Sequence, residues 1–177
     1  VAALAIIALA GATGSTATLI LAGVAVSSIA GALTSLALNL SPNPFASTEI
    51  MFWLMGSLTD RSLVHVALAA PFMLGGWTLL ALAAPALDAL SLGEETATSL
   101  GVDLRRTRWL VVLGAALSVG AATAVAGVIG FVGLVAPHVL RPLVGHRPSR
   151  LLPASALGGA ALLTTADILV RLITPGS

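Results

Sequence analysis

No cysteine, tyrosine or lysine occurs in these 177 residues, and charged side chains make up only 8% of them. Without cysteine there is no disulfide framework and no thiolate metal site, and the redox compartment stays open. A soluble domain carries roughly 25% charged residues, so this scarcity excludes an ordinary soluble fold. Catalytic signatures are missing too. There is no G-x-x-x-x-G-K-[ST] phosphate loop, no H-E-x-x-H and no G-x-S-x-G, so no catalytic residue is assigned and any ATP hydrolysis belongs to another chain. The net charge of +1 says little about partners, and no nucleic acid is expected among them.

What is present is apolar length. Hydrophobic residues make up 58% of the chain and mean hydropathy is +1.06, which defines an all-α, polytopic transmembrane helix bundle embedded in lipid. Each crossing needs about 20 apolar residues. Residues 1–10 are apolar but too short to cross, and read as the tail of a helix rather than a signal peptide. Uncharged runs predict crossings near 16–40 and 63–87, with Pro71 bending the second, and a run holding only Asp167 and Arg171 as charges predicts a further one over 151–173. The segment SPNPFASTE (41–49) ends the first span, and residues 50–58, with Trp53, suit a short helix at the membrane surface.

The apolar run 109–136 needs a topological argument. Arginines cluster before it (Arg105, Arg106, Arg108) and after it (Arg141, Arg147, Arg150). A single crossing would put the clusters on opposite sides, against the positive-inside rule. Two crossings, one over 109–126 and a short, broken one over 127–139, put both in the cytoplasm and leave only Arg61 and Arg171 outside. Glycines in GVIGFVG (127–133) loosen the return. Broken helices persist only where protein buries them or they line a water-filled cavity, so Gly127, Gly130 and Gly133 become pathway candidates.

Six of the fifteen acidic and basic residues fall within residues 91–108, in one cytoplasmic loop, 88–108. Ser91 and Glu94 match a capping box, Glu94 and Glu95 suit the positive end of a short helix, Gly101 is a left-handed stop, and Asp103 can cap the next helix. The loop reads either as a solvated connection or as a docking knob. On the first complete span, Gly23, Ser27, Gly31 and Ser35 recur every four residues, which makes either a packing seam or a pathway lining. His65 lies near the outer end of a span, His138 and His146 lack the spacing of a helical ligand pair, and no metal site is assigned. Asp167 and Arg171 are four apart and able to pair. They form either a helix-end anchor or a surface contact.

These stretches together resemble the FecCD-type permeases of ABC importers for iron-siderophores, haem and vitamin B12. The resemblance is carried by LSLGEETATSLGV (90–102), AGVIGFVGLVAPHVLR (126–141), RLLPASALGGA (150–160) and ADILVR (166–171), with LILAGVAVSS (19–28) and FWLMGSL (52–58) in matching places. It implies a ten-helix, type II importer subunit in a bacterial inner membrane, paired with a second permease copy, two cytoplasmic ATPase subunits that bind the ATP, and a periplasmic or extracellular binding protein, all surrounded by membrane lipid. The chain would begin late in the fourth helix and stop before the last, either as a fragment or as a truncated gene product. The resemblance makes Leu92, Gly93, Glu94, Glu95, Ala97, Leu100 and Gly101 a coupling helix for the ATPase. It makes Ser27, Ser28, Gly31, Thr34 and Ser35 channel lining, puts Thr16 and Thr18 near an inner gate, and offers Arg171 to the binding protein. The expected cargo is an iron complex, siderophore or haem. Cobalamin is the alternative, and a proton-coupled carrier using Asp167 is a weaker one.

Overall fold

The computed structural model describes residues 5, 16–41, 44–59 and 61–173, so the tail expected over 1–10 lies outside the described residues apart from Ala5. Every regular element among the described residues is helical. They are α1 (Thr16–Leu40), α2 (Pro44–Met55), α3 (Leu63–Leu90), α4 (Glu94–Ser99), α5 (Leu104–Ala126), α6 (Val132–Val144) and α7 (Pro148–Ile173). The chain divides into two compact units at Gly56/Ser57. The first contains α1 and α2, the second α3 to α7. Among the described residues four helices are long and apolar enough to cross a membrane: Ile20–Leu40 within α1, then α3, α5 and α7.

Several element bounds differ from the expected ones, each for a local reason. The short helix expected over 50–58 instead spans Pro44–Met55. Proline is well suited to the first helical position, where its missing N–H costs nothing, and Gly56, at φ +65°, stops the helix. The return segment expected to end near residue 139 continues through Pro137 and Pro142 to Val144, and is closed by Gly145 at φ +85°. At α5 the Asp103 carboxylate accepts from the Arg106 N–H at 3.0 Å, so the helix starts at Leu104 rather than 109. Pro148 opens α7 three residues ahead of the expected Leu151. The second span does not stop at 87 but runs to Leu90, with Pro71 and Pro85 inside it.

In the second unit the interior is built from small residues. Ala69, Gly76 and Ala83 are buried on α3, and Thr107 and Gly114 on α5. Seven-residue spacing keeps each set on one helical face. Where the helices cross, a Cβ added to Gly76 would meet the Gly114 carbonyl oxygen at 2.6 Å, and one added to Gly114 would meet the Gly76 carbonyl oxygen at 2.9 Å. Backbone therefore packs on backbone. In lipid there is no hydrophobic drive between helices, and close van der Waals approach through glycine and alanine replaces it. The α6–α7 contact repeats the pattern, with Gly158 beneath Leu140 and Gly159 beneath Val132 and Ala136. Large apolar side chains such as Leu82, Leu157 and Phe72 point outward, as expected of a lipid-facing surface.

The connections of this unit fix its two ends. The end of α3 and the start of α5 are joined through α4, and Ser149 at the start of α7 bonds to Asp88 at the end of α3. Arg105, Arg106 and Arg108 therefore share one end with Arg141, Arg147 and Arg150. At the opposite end the Ser57 N–H donates to the Ala126 carbonyl at 2.8 Å. α5 runs from the arginine-rich end to the other, and α6 returns. With 13 residues, α6 is only about 20 Å long, shorter than the four helices that are long and apolar enough to cross a membrane.

Candidate functional site

At the arginine-rich end, α4 is a six-residue helix bounded by two glycines. Gly93, at φ +108°, occupies its N-cap position, and the expected Ser91–Glu94 capping box does not form. Because α3 extends to Leu90, Ser91 belongs to its last turn, where its hydroxyl donates to the Asp88 carbonyl at 2.6 Å. Gly101, at φ +84°, ends α4 in a Schellman arrangement. Val102 N–H donates to Ala97 O at 3.0 Å and Gly101 N–H to Thr98 O at 2.9 Å. Ala97 is fully buried, so it anchors α4 to its own chain. Of the residues expected in the coupling helix, Ala97 therefore faces its own chain and offers no outward contact. Leu92 and Leu100 are 67% and 65% exposed. Glu94 and Glu95 line a shallow open depression with Thr98, Ser99 and Leu104. The result is a small rigid knob that presents two leucines and two carboxylates.

Beneath the knob lies a junction that the sequence reading missed. Both oxygens of the Asp88 carboxylate are engaged by Ser149, one by its N–H at 2.9 Å and the other by its hydroxyl at 2.6 Å. Arg147 and Arg150 surround the same carboxylate with positive charge. Asp88 lies at the edge of the charged stretch, but nothing in the sequence pairs it with a residue 61 positions away.

Along α1 the small-residue stripe is open within the described structure. A Cβ added to Gly23 or Gly31 meets nothing within 4 Å. Ser27, Ser28, Gly31 and Ser35 are exposed and Thr34 is half-buried. The hydroxyls of Ser28 and Thr34 donate to the carbonyls of Val24 and Ala30, each at 2.9 Å. Back-bonding of this kind uses the hydroxyl proton within the helix and leaves oxygen lone pairs facing outward. Thr18 is exposed. Thr16 opens α1, but its side chain lies outside the described residues.

The glycines of the return segment divide. Gly127 is buried and ends α5 at φ +74°. Gly130 and Gly133 are exposed, with open space around them. The second left-handed position is Phe131, at φ +69°, where Val132 N–H reaches back to Gly130 O at 2.8 Å. A positive φ at a bulky residue is an outlier that costs on the order of 1–3 kcal/mol. Phe131 is also 81% exposed. A phenylalanine, not one of the later glycines, therefore carries the strained turn into α6.

At the far end of α7, Arg171 Nε donates to Asp167 at 2.9 Å, and the two side chains are 58% and 28% exposed. His65 acts locally: its Nδ1 accepts from the Ser62 N–H at 3.2 Å. His138 and His146 are exposed.

Four helices of the second unit, α3, α5, α6 and α7, in antiparallel succession and packed through glycine, define a multi-pass membrane permease fold. A solved structure described as an inward-facing ABC transporter assigned to the metal-chelate type has this fold. It matches with a TM-score of 0.82 and 37% identity over 90% of this chain and 52% of that one. The chain belongs to the FecCD transport family, whose model matches residues 1–177. Among curated relatives, the vitamin B12 import system permease BtuC of Vibrio cholerae is 45% identical over 89% of this chain and 47% of its own length. The hemin transport system permease HmuU of Yersinia pestis is 40% identical over 92% of this chain and 48% of its own. The Fe(3+) dicitrate transport system permease FecD of Escherichia coli is 40% identical over 89% and 49%. The chain thus spans about half the length of the curated relatives it matches.

Proposed function

We propose that this chain forms part of the permease of an ATP-driven importer that carries a metal chelate inward across a bacterial inner membrane. Energy enters from two ATPase subunits through the α4 knob, the cargo passes along the hydroxyl-bearing face of α1, and a second permease copy completes the channel. The observation that carries this reading is α4 itself. It is held rigid by Gly93, Ala97 and Gly101 on its own chain, while Leu92 and Leu100 stay exposed at the arginine-rich end, where the positive-inside rule puts the cytoplasm. Gly127, Gly130 and Gly133 belong to the moving return segment, and Arg171 at the opposite end faces the binding protein. Family membership favours this ATP-driven reading over a proton-coupled carrier.

We propose an iron complex, siderophore or haem, as the cargo, in keeping with the hemin and ferric dicitrate names among the relatives. Cobalamin is the second reading, favoured by the 45% identity to a vitamin B12 permease. The full-length permease, reconstituted in proteoliposomes with its ATPases and binding protein, should accumulate a radiolabelled ferric chelate or hemin only when ATP is supplied. Accumulation of cobalamin alone would move the assignment to the second reading, and ATP-independent accumulation of every cargo would remove the importer reading.

A further inference from the structure

The Asp88–Ser149 junction joins two elements that the proposed mechanism requires to move together. Asp88 sits in the last turn of α3, and the Ser91 hydroxyl ties its carbonyl to the turn that leads into α4. Its carboxylate caps the start of α7 from another helix. That start has no cap of its own: Arg147 has no acceptor side chain, and Pro148 has no N–H. The first amide that needs a partner is that of Ser149, and Asp88 supplies it at the positive end of the helix dipole. From there α7 runs 26 residues, about 39 Å, to the end that bears Arg171.

Apolar packing does not fix this junction. A cavity of about 400 Å³ lies beside it, lined by Leu87, Val132, Ala136, Pro148, Leu151 and Ser155 among others. The buried Ser155 hydroxyl has no hydrogen-bond partner. With this space beside the junction, two charge-assisted hydrogen bonds, rather than close side-chain packing, set the register of α7 on α3 there. Because they are directional, they hold one arrangement and release it cleanly when broken.

We propose that Asp88 is a positioning residue that latches α7 to the α3–α4 corner, so that displacement of α4 by an ATPase is passed to α7. This rests on the importer reading above. The test uses the full-length permease assembled with its ATPases, with spin labels at Thr98→Cys on α4 and His146→Cys before α7. Asp88→Ala should leave assembly and ATP hydrolysis in place, lower the cargo moved per ATP about tenfold, as expected from losing a charge-assisted contact, and broaden the 98–146 distance distribution. Asp88→Asn keeps an acceptor for the Ser149 N–H and should recover much of the coupling. Ser149→Ala removes one bond only, should give an intermediate loss, and carries the test if Asp88→Ala fails to fold. Unchanged cargo per ATP together with an unchanged distance distribution in Asp88→Ala or Ser149→Ala overturns the latch alone. Absence of ATP-driven uptake in the unsubstituted assembly overturns the importer reading and the coupling role with it.

Discussion

At the scale of single residues, charge is rare in this chain, with only fifteen acidic and basic groups in 177 residues. The Asp167–Arg171 pair is mostly water-accessible on the arginine side, and an exposed pair four apart on a helix contributes only about 0.3–0.5 kcal/mol. So weak a pair leaves Arg171 available for a partner. Arg171→Glu in the full-length protein should therefore slow association with the binding protein, more so at low salt, because contacts at an exposed rim act mainly on the association rate. Thermal stability in detergent should stay within about a degree or two of the parent, since surface changes are usually small. Lowered stability with unchanged association, rescued by Asp167→Asn, would assign Arg171 to the helix instead.

At the scale of elements, α4 makes a sharper claim. Its outward leucines and carboxylates are separable from the residues that hold it in shape, because Ala97 is buried and Gly101 sets the closing turn. Glu94→Lys combined with Leu100→Asp should leave insertion and folding intact yet prevent co-purification with the ATPases, because it places unpaired charge in a docking contact. Normal cargo-stimulated ATP hydrolysis in that variant would exclude α4 as the dock. Much of this element was legible in the sequence. Gly101 and Asp103 are local signals, with their partners three or four residues away, and they form as expected. The Ser91–Glu94 box was misread because it assumed that α3 stopped at 87. Pro85 marks no end, and once α3 reaches Leu90 the cap position falls on Gly93. The Asp88–Ser149 junction was not legible at all: a hydrogen bond across 61 residues depends on how α3 and α7 meet, which no local pattern encodes. Phe131 was hidden for a different reason, since glycine-rich surroundings suggest that a glycine will take the left-handed position.

At the scale of the whole second unit, the account depends on α5 and α6 both crossing the membrane. Only then do the two arginine clusters, the α4 knob and the Asp88 latch share one face, with Ser57 and Ala126 at the other. Sequence reasoning reached this through charge balance alone. The hydrogen bonds of Ser149 to Asp88 and of Ser57 to Ala126 show only which residues share an end of the unit, and the crossing itself is what the labelling tests. The absence of cysteine from these 177 residues makes the decisive measurement simple for this part of the protein. Single cysteines at Thr98, Gly145 and Ser57 would be introduced into the full-length permease in intact cells and labelled with a membrane-impermeant maleimide before and after permeabilisation. Thr98→Cys and Gly145→Cys should react only once the cytoplasm is opened, and Ser57→Cys should react in intact cells. Labelling of positions 98 and 145 from opposite sides would contradict the two-crossing arrangement and the coupling face built on it.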